Sequence, residues 1–167
     1  ARHNGGIDGL KAACPTAEVI ATLNLAWDYA TAKAAMEDIL ANYPQIDGIL
    51  SQGGAMTQAA IDAYVEQGLP LVPMTGEASN GFLRVWLEQA DNGLQSMAFC
   101  NPTWISVTAL DTAIRILNGE EVEKEITVTV PPVTLETAKD LYRPDVNDSF
   151  WVHTYLSDAE IKELFPK

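Results

Sequence analysis

Short apolar or β-branched runs alternate along the chain with segments whose apolar residues recur at helical spacing. A strand over residues 19–25 leads to a helix from Asp28, in which Ala32, Ala35, Met36, Ile39 and Leu40 fall at i, i+3, i+4, i+7 and i+8, and Pro44 stops it. Residues 48–51 form the next strand. It is followed by a helix whose Ile61, Tyr64 and Val65 share a face and whose Gly68 suits a left-handed terminator. A third strand covers 71–74. Phe82, Val85 and Trp86 mark a helix ending near Gly93, residues 95–99 a fourth strand, and Val107, Leu110, Ile114 and Leu117 a helix closed by Gly119. Residues 125–130 make a further strand, interrupted by Pro131 and Pro132. Beyond Leu135 the rhythm stops. The tail ends in one short helix, with Ser157 as N-cap, Glu160 completing a capping box and Leu156 with Ile161 as a hydrophobic staple.

Strands and helices alternating with short connections predict an α/β fold, because parallel neighbours require a crossover. The class expected is a doubly wound parallel sheet with helices on both faces, followed by an extended C-terminal tail.

Composition narrows the function classes. The 167 residues hold 23 Asp and Glu against 10 Lys and Arg, a net charge of −13. A chain so acidic has few cations with which to displace the counterions of DNA or RNA, so nucleic acid is excluded as a partner, and an anionic membrane surface is disfavoured too. No apolar run approaches the roughly 20 residues that span a bilayer. The opening Ala1-Arg2-His3-Asn4 has no initiator Met and no basic-then-apolar leader, so a targeting segment is expected to have been removed or to lie upstream. Cys14 and Cys100 are too few for a disulfide scaffold and too far apart for a metal knuckle, and each reads as a small buried hydrophobe. Glu120, Glu121, Glu123 and Glu125 read as a solvated turn.

Ligands of open α/β sheets bind at the carboxyl ends of the strands. Those ends carry Trp27-Asp28, Ser51-Gln52-Gly53-Gly54, Thr75-Gly76-Glu77 and Cys100-Asn101-Pro102. The set suits a neutral, polar ligand that is flat on one face. Each has a plainer reading. Trp27 can seal a helix against the sheet, Glu77 can be an acid favoured by a helix dipole, and Arg2 can be a solvated charge. Gly53-Gly54 is not followed by a phosphate-loop motif, and nothing has metal-ligand spacing, so neither cofactor nor metal is expected. No catalytic constellation stands out. His3 and His153 lie away from strand ends, Ser51 lacks a nucleophile-elbow setting, and Cys100 has no partner base.

The order of these pieces resembles a known family. The run from Asp47 through Gly-Ile-Leu-Ser-Gln-Gly-Gly-Ala to Met56, then Gln58-Ala-Ala-Ile with Gly68, then Val72-Pro-Met-Thr-Gly-Glu77, is similar to the second half of type I periplasmic sugar-binding proteins of the ribose-binding group. These are solute receptors of ABC importers, and lac-repressor-type regulators share their ligand lobe. The resemblance covers residues 1–135. It implies that Arg2 at the start of a helix reaches sugar hydroxyls, that Trp27 is a stacking platform, and that Asn101 lies at a hinge crossing. It also implies three departures: Gly53 stands where the family has a hydroxyl-binding Asn, Glu77 replaces an Asp, and Cys100 replaces a ligand-binding Gln. With two polar groups lost, a larger or less hydroxylated ligand filling the space over Gly53 is expected, with Glu77 accepting from hydroxyls or pairing with a cationic group.

The resemblance further implies a domain plan. Residues 1–101 would be a C-terminal ligand-binding lobe, incomplete at its N-terminus. Residues 102–125 would be a hinge crossing and a helix packed on an N-terminal lobe of the same protein that this chain lacks, and 126–167 a returning strand and C-terminal extension. The function implied is binding of a small sugar-like solute in a cleft between two lobes, without catalysis, for an ABC permease. The location implied is periplasmic or extracellular, with a lipid anchor as one variant. A regulator's sensing domain is the alternative, and an α/β enzyme using Cys100 or Glu77 a third. The tail with Trp151, His153 and Tyr155 is expected to be a strap against the sheet edge rather than a binding element.

Overall fold

Asp28 shows how local sequence sets the elements. Its carboxylate accepts from the Thr31 amide at 2.8 Å, capping helix α2 (Tyr29–Asn42). The computed structural model describes residues 2–167; Ala1, paired with Arg2 above, lies outside them. The chain runs through α1 (Arg2–Ala13), α2, α3 (Gly54–Glu66), β1 (Met74–Glu77), α4 (Asn80–Gln89), β2 (Ser96–Phe99), α5 (Ile105–Leu117), α6 (Leu135–Leu141) and α7 (Asp158–Leu164). A 3₁₀ turn, Ala90–Asn92, extends α4 to Gly93, whose left-handed φ of 92° stops the helix where the sequence places its end.

The sheet is parallel at its centre and narrow. β1 and β2 pair in parallel from Met74 opposite Ser96 to Glu77 opposite Phe99, with α4 as the crossover. Ile49 adds a single parallel bridge to Met74, and Val133 an antiparallel one to Ala98. The strand expected over 48–51 goes no further for a definite reason. The Thr75 hydroxyl takes both backbone groups of Ser51, accepting from its N–H and donating to its C=O at 2.9 Å. The strand expected over 71–74 is displaced to Met74–Glu77, and Leu71 and Val72 lead into it half-buried.

Two expected strands are corrected. Residues 19–25 and 125–130 carry no ladder: Val19, Ile20, Leu23 and Ile126 are each exposed by more than 40%. A β-branched run becomes a strand only where a neighbouring strand takes its N–H and C=O groups, and among the described residues none pairs with these. Helix α6, in the stretch where the rhythm was expected to stop, starts on a Thr134–Thr137 capping box. Val65 is exposed, whereas Ile61 and Tyr64 of the same helix are buried.

The core gathers on one face of the sheet. Ile61 and Tyr64 of α3 pack with Phe82, Leu83 and Trp86 of α4, Met74 and Ala98 of the strands, and Val146, Phe150, Val152 and Ile161 of the tail. Strand alternation explains the one-sidedness, since Ala98 is buried while Met97 and Phe99 are exposed. The tail is therefore part of the fold. Buried Asn80 pins it, donating to the carbonyl of Arg143 at 2.8 Å and of Asn147 at 3.2 Å and accepting from the Arg143 amide at 2.9 Å. Helix α5 buries no residue at all.

Candidate functional site

Glu77 ends β1 with its side chain only 10% exposed, and its carboxylate meets a cation from the far N-terminus. Arg2, in the first turn of α1, brings Nη2 to 3.0 Å from Glu77 Oε1, and its Nη1 donates to the Gln52 carbonyl at 3.2 Å. The guanidinium lies 5.7 Å from the centroid of the Trp27 ring, within cation–π range. One arginine thus ties together the ends of three segments that are remote in sequence.

Trp27 is held in an unusual backbone. Ala26 and Trp27 both have positive φ, 51° and 61°, a left-handed pair that costs on the order of 1–3 kcal/mol per residue and persists only where its surroundings enforce it. The enforcing contacts are present. Asp28 N–H donates to the Leu25 carbonyl at 3.0 Å, and Ala26 N–H to the Asn24 side chain at 3.3 Å. Gly53 supplies the remaining space, because a Cβ there would sit 2.7 Å from the Trp27 ring. Neighbouring Gly54 lets α3 start against β1, where a Cβ would come within 2.6 Å of the Glu77 carbonyl.

Arg2, Trp27, Glu77 and Asn101 line one open cavity of about 410 Å³, together with Thr103 and Trp151. Its size falls in the range of small-molecule sites. Four of the six residues expected at the site are thus brought together. The other two are corrected. Gly53 lies behind the Trp27 indole, so the space above it is filled by protein and not open to a ligand. Cys100 turns to the tail instead, its buried thiol donating to the Val152 carbonyl at 3.4 Å. Burial, with a smaller push from the Glu77 charge, raises that thiol to about 11.

A family model described as a periplasmic binding protein domain matches residues 1–121. The chain belongs to that family. No curated protein sequence matches it. Among solved structures, a Mycobacterium smegmatis protein in complex with β-D-fucofuranose is similar at 20% identity and a TM-score of 0.69, over 83% of this chain and 45% of that one. The periplasmic component of an arabinose ABC transporter from Shewanella sp. ANA-3, bound to α- and β-L-arabinofuranose, is similar at 20% identity and a TM-score of 0.68, over 82% and 46%. A carbohydrate transporter solute-binding protein from Agrobacterium radiobacter, in complex with D-arabinose, is similar at 21% identity and a TM-score of 0.64, over 97% and 48%. This periplasmic binding protein domain therefore spans just under half the length of each of these structures. The Agrobacterium match extends through most of the tail.

Chemically, the cavity of this periplasmic binding protein domain offers a charge-compensated anchor beside aromatic surface. Arg2 and Glu77 neutralise one another, so a ligand that enters need carry no charge. Each keeps hydrogen-bonding capacity toward hydroxyls: unused N–H donors on the guanidinium and the second carboxylate oxygen. Asn101 and Thr103 add exposed polar side chains. Among the described residues no cluster of His, Cys, Asp or Glu has the geometry to hold a metal ion. Thr103 and Trp151 were absent from the residues expected here. Thr103 had a readable signal, two positions past Asn101, whereas Trp151 had none, being 74 residues beyond Glu77 in a segment without periodicity.

Proposed function

We propose that this chain forms the ligand-binding half of the solute-binding component of an ABC importer, and that it takes a neutral, sugar-like solute. The observation that carries the proposal is the convergence of Arg2, Glu77 and Trp27 on one cavity. A paired cation and anion beside an indole match a monosaccharide, whose hydroxyls take hydrogen bonds at its edge and whose C–H groups make an apolar face. The sugars named for the three solved structures are of this chemistry. The role is capture without catalysis, on the periplasmic side of the membrane, with a permease as the downstream partner.

The domain plan belongs to the same reading. Residues 1–101 act as one lobe, 102–125 as a crossing with a helix against a second lobe, and 126–167 as the returning segment and extension. The α5 stripe supports it: Val107 and Leu110 are 62% exposed and Leu117 85%. Such a row on a helix with no buried residue fits a surface covered by further protein.

Calorimetric titration of the full-length protein with L-arabinose, D-fucose and D-allose tests the proposal, with spermidine and adenosine as counter-ligands. Sugar binding lost on Trp27→Ala and weakened at least about tenfold on Glu77→Gln, which removes a charged acceptor, is the expected result. Binding of the amine or the nucleoside with no response to any sugar would overturn it.

A further inference from the structure

The cavity has a wall drawn from the far end of the chain. Residues 150–152 run antiparallel to 78–80, immediately after Glu77, with Ser79 bridged to Trp151. Asn80 N–H donates to the Phe150 carbonyl at 2.8 Å, Val152 N–H to the Ala78 carbonyl at 3.4 Å, and the Cys100 thiol to the Val152 carbonyl. Phe150 and Val152 are 4% and 3% exposed and point into the core. Successive side chains of an extended strand point to opposite sides, so Trp151 between them is turned outward, half-buried, onto the cavity that holds Trp27, Arg2 and Glu77. His153 ends the strap abruptly, with φ of 61°. The anchoring of both neighbours in the core fixes Trp151 where it stands.

We infer that Trp151 is a ligand-contacting residue that makes this site select ring-shaped solutes over open-chain ones; the inference rests on the sugar-binding reading above. Trp27 supplies one aromatic surface and Trp151 a second. A pyranose or furanose presents apolar C–H faces to such surfaces and its hydroxyls to Arg2, Glu77, Asn101 and Thr103. A polyol of the same carbon number offers the hydroxyls without a stable face. The tail thus sets specificity as well as completing the core.

Affinities of the full-length protein for L-arabinose and for L-arabinitol, compared between wild type and Trp151→Ala, provide the test. The substitution is expected to weaken L-arabinose roughly fivefold, the scale of a lost aromatic contact, while leaving L-arabinitol unchanged. Trp151→Phe should restore the preference for the ring. An equal loss for both ligands, or no loss for L-arabinose, overturns the inference while the functional reading stands. A wild type that binds no sugar removes that reading, and the inference falls with it. Should Trp151→Ala fail to fold, wild-type protein labelled with 5-fluorotryptophan keeps the question open to measurement. The signals of Trp27, Trp86, Trp104 and Trp151 can be assigned by single Trp→Phe changes, and the Trp151 signal must shift on saturation with L-arabinose. An unmoved Trp151 signal overturns the inference.

Discussion

At the scale of the residue, the two cysteines show how position in the fold decides chemistry that composition leaves open. Both are free, but Cys14 is exposed while Cys100 is buried against the strap. With its thiol raised to about 11 by burial and by Glu77, Cys100 holds almost no thiolate at pH 8, and the thiolate is the nucleophile. Ellman's reagent at pH 8 is therefore expected to modify Cys14 rapidly and Cys100 only after unfolding in denaturant. Comparable rates at the two sites in native protein would contradict this placement. Trp27 makes the same point from the backbone. The family resemblance leads one to expect a stacking platform at this position, but its left-handed conformation and its packing on Gly53 arise from contacts between segments about 25 residues apart.

At the scale of the element, helices with a periodic stripe and a proper cap were legible, and isolated strands were not. Helix α2 carries its own start signal in Asp28, and α7 its own capping box in Ser157 and Glu160. Residues 19–25 have strand composition but no strand partner among the described residues, and composition cannot supply one. Helix α6 was missed because its box uses Thr137 where Glu or Gln is the usual signal. The tail elements depend on Asn80, which is 1% exposed and serves as the hub for backbone groups of residues 143 and 147. Replacing Asn80 by Ala removes the partner of those half-buried groups and is expected to cost about 1–3 kcal/mol in urea unfolding, well above a surface substitution. The tail also carries a pH dependence. Arg143 and Lys162 hold Asp145 and Asp158 below the usual carboxylate range, and Ser157 does the same to Glu160. Their contribution is fully present above the unfolded carboxylate values of about 4 and is lost as pH falls through the lower folded values. Hydrogen exchange is expected to show α7 and residues 143–147 loosening as pH falls below about 4. Arg143→Ala should flatten that dependence.

At the scale of the whole molecule, the apolar surface is unevenly covered. The core side of the sheet is filled by α3, α4 and the tail, while Met97, Phe99 and the α5 stripe stay exposed. The 167-residue chain by itself is expected to self-associate in sedimentation velocity as concentration rises. Substituting Val107 and Leu117 by Ser should reduce that association without lowering the melting temperature, since neither residue is buried; an unchanged sedimentation profile would count against α5 as the contact. The sequence by itself determined the α/β class, the capped helices and four of the residues around the cavity. Hydrophobic period, caps and strand ends are properties of neighbouring residues, and they survive in a one-dimensional reading. Only the tertiary structure decided which apolar runs pair as strands, that the Trp27 indole fills the space over Gly53, that Cys100 faces the tail, and that Trp151 reaches the site. Those outcomes depend on contacts between segments tens of residues apart, where burial and hydrogen-bond satisfaction choose among partners that local pattern leaves equivalent.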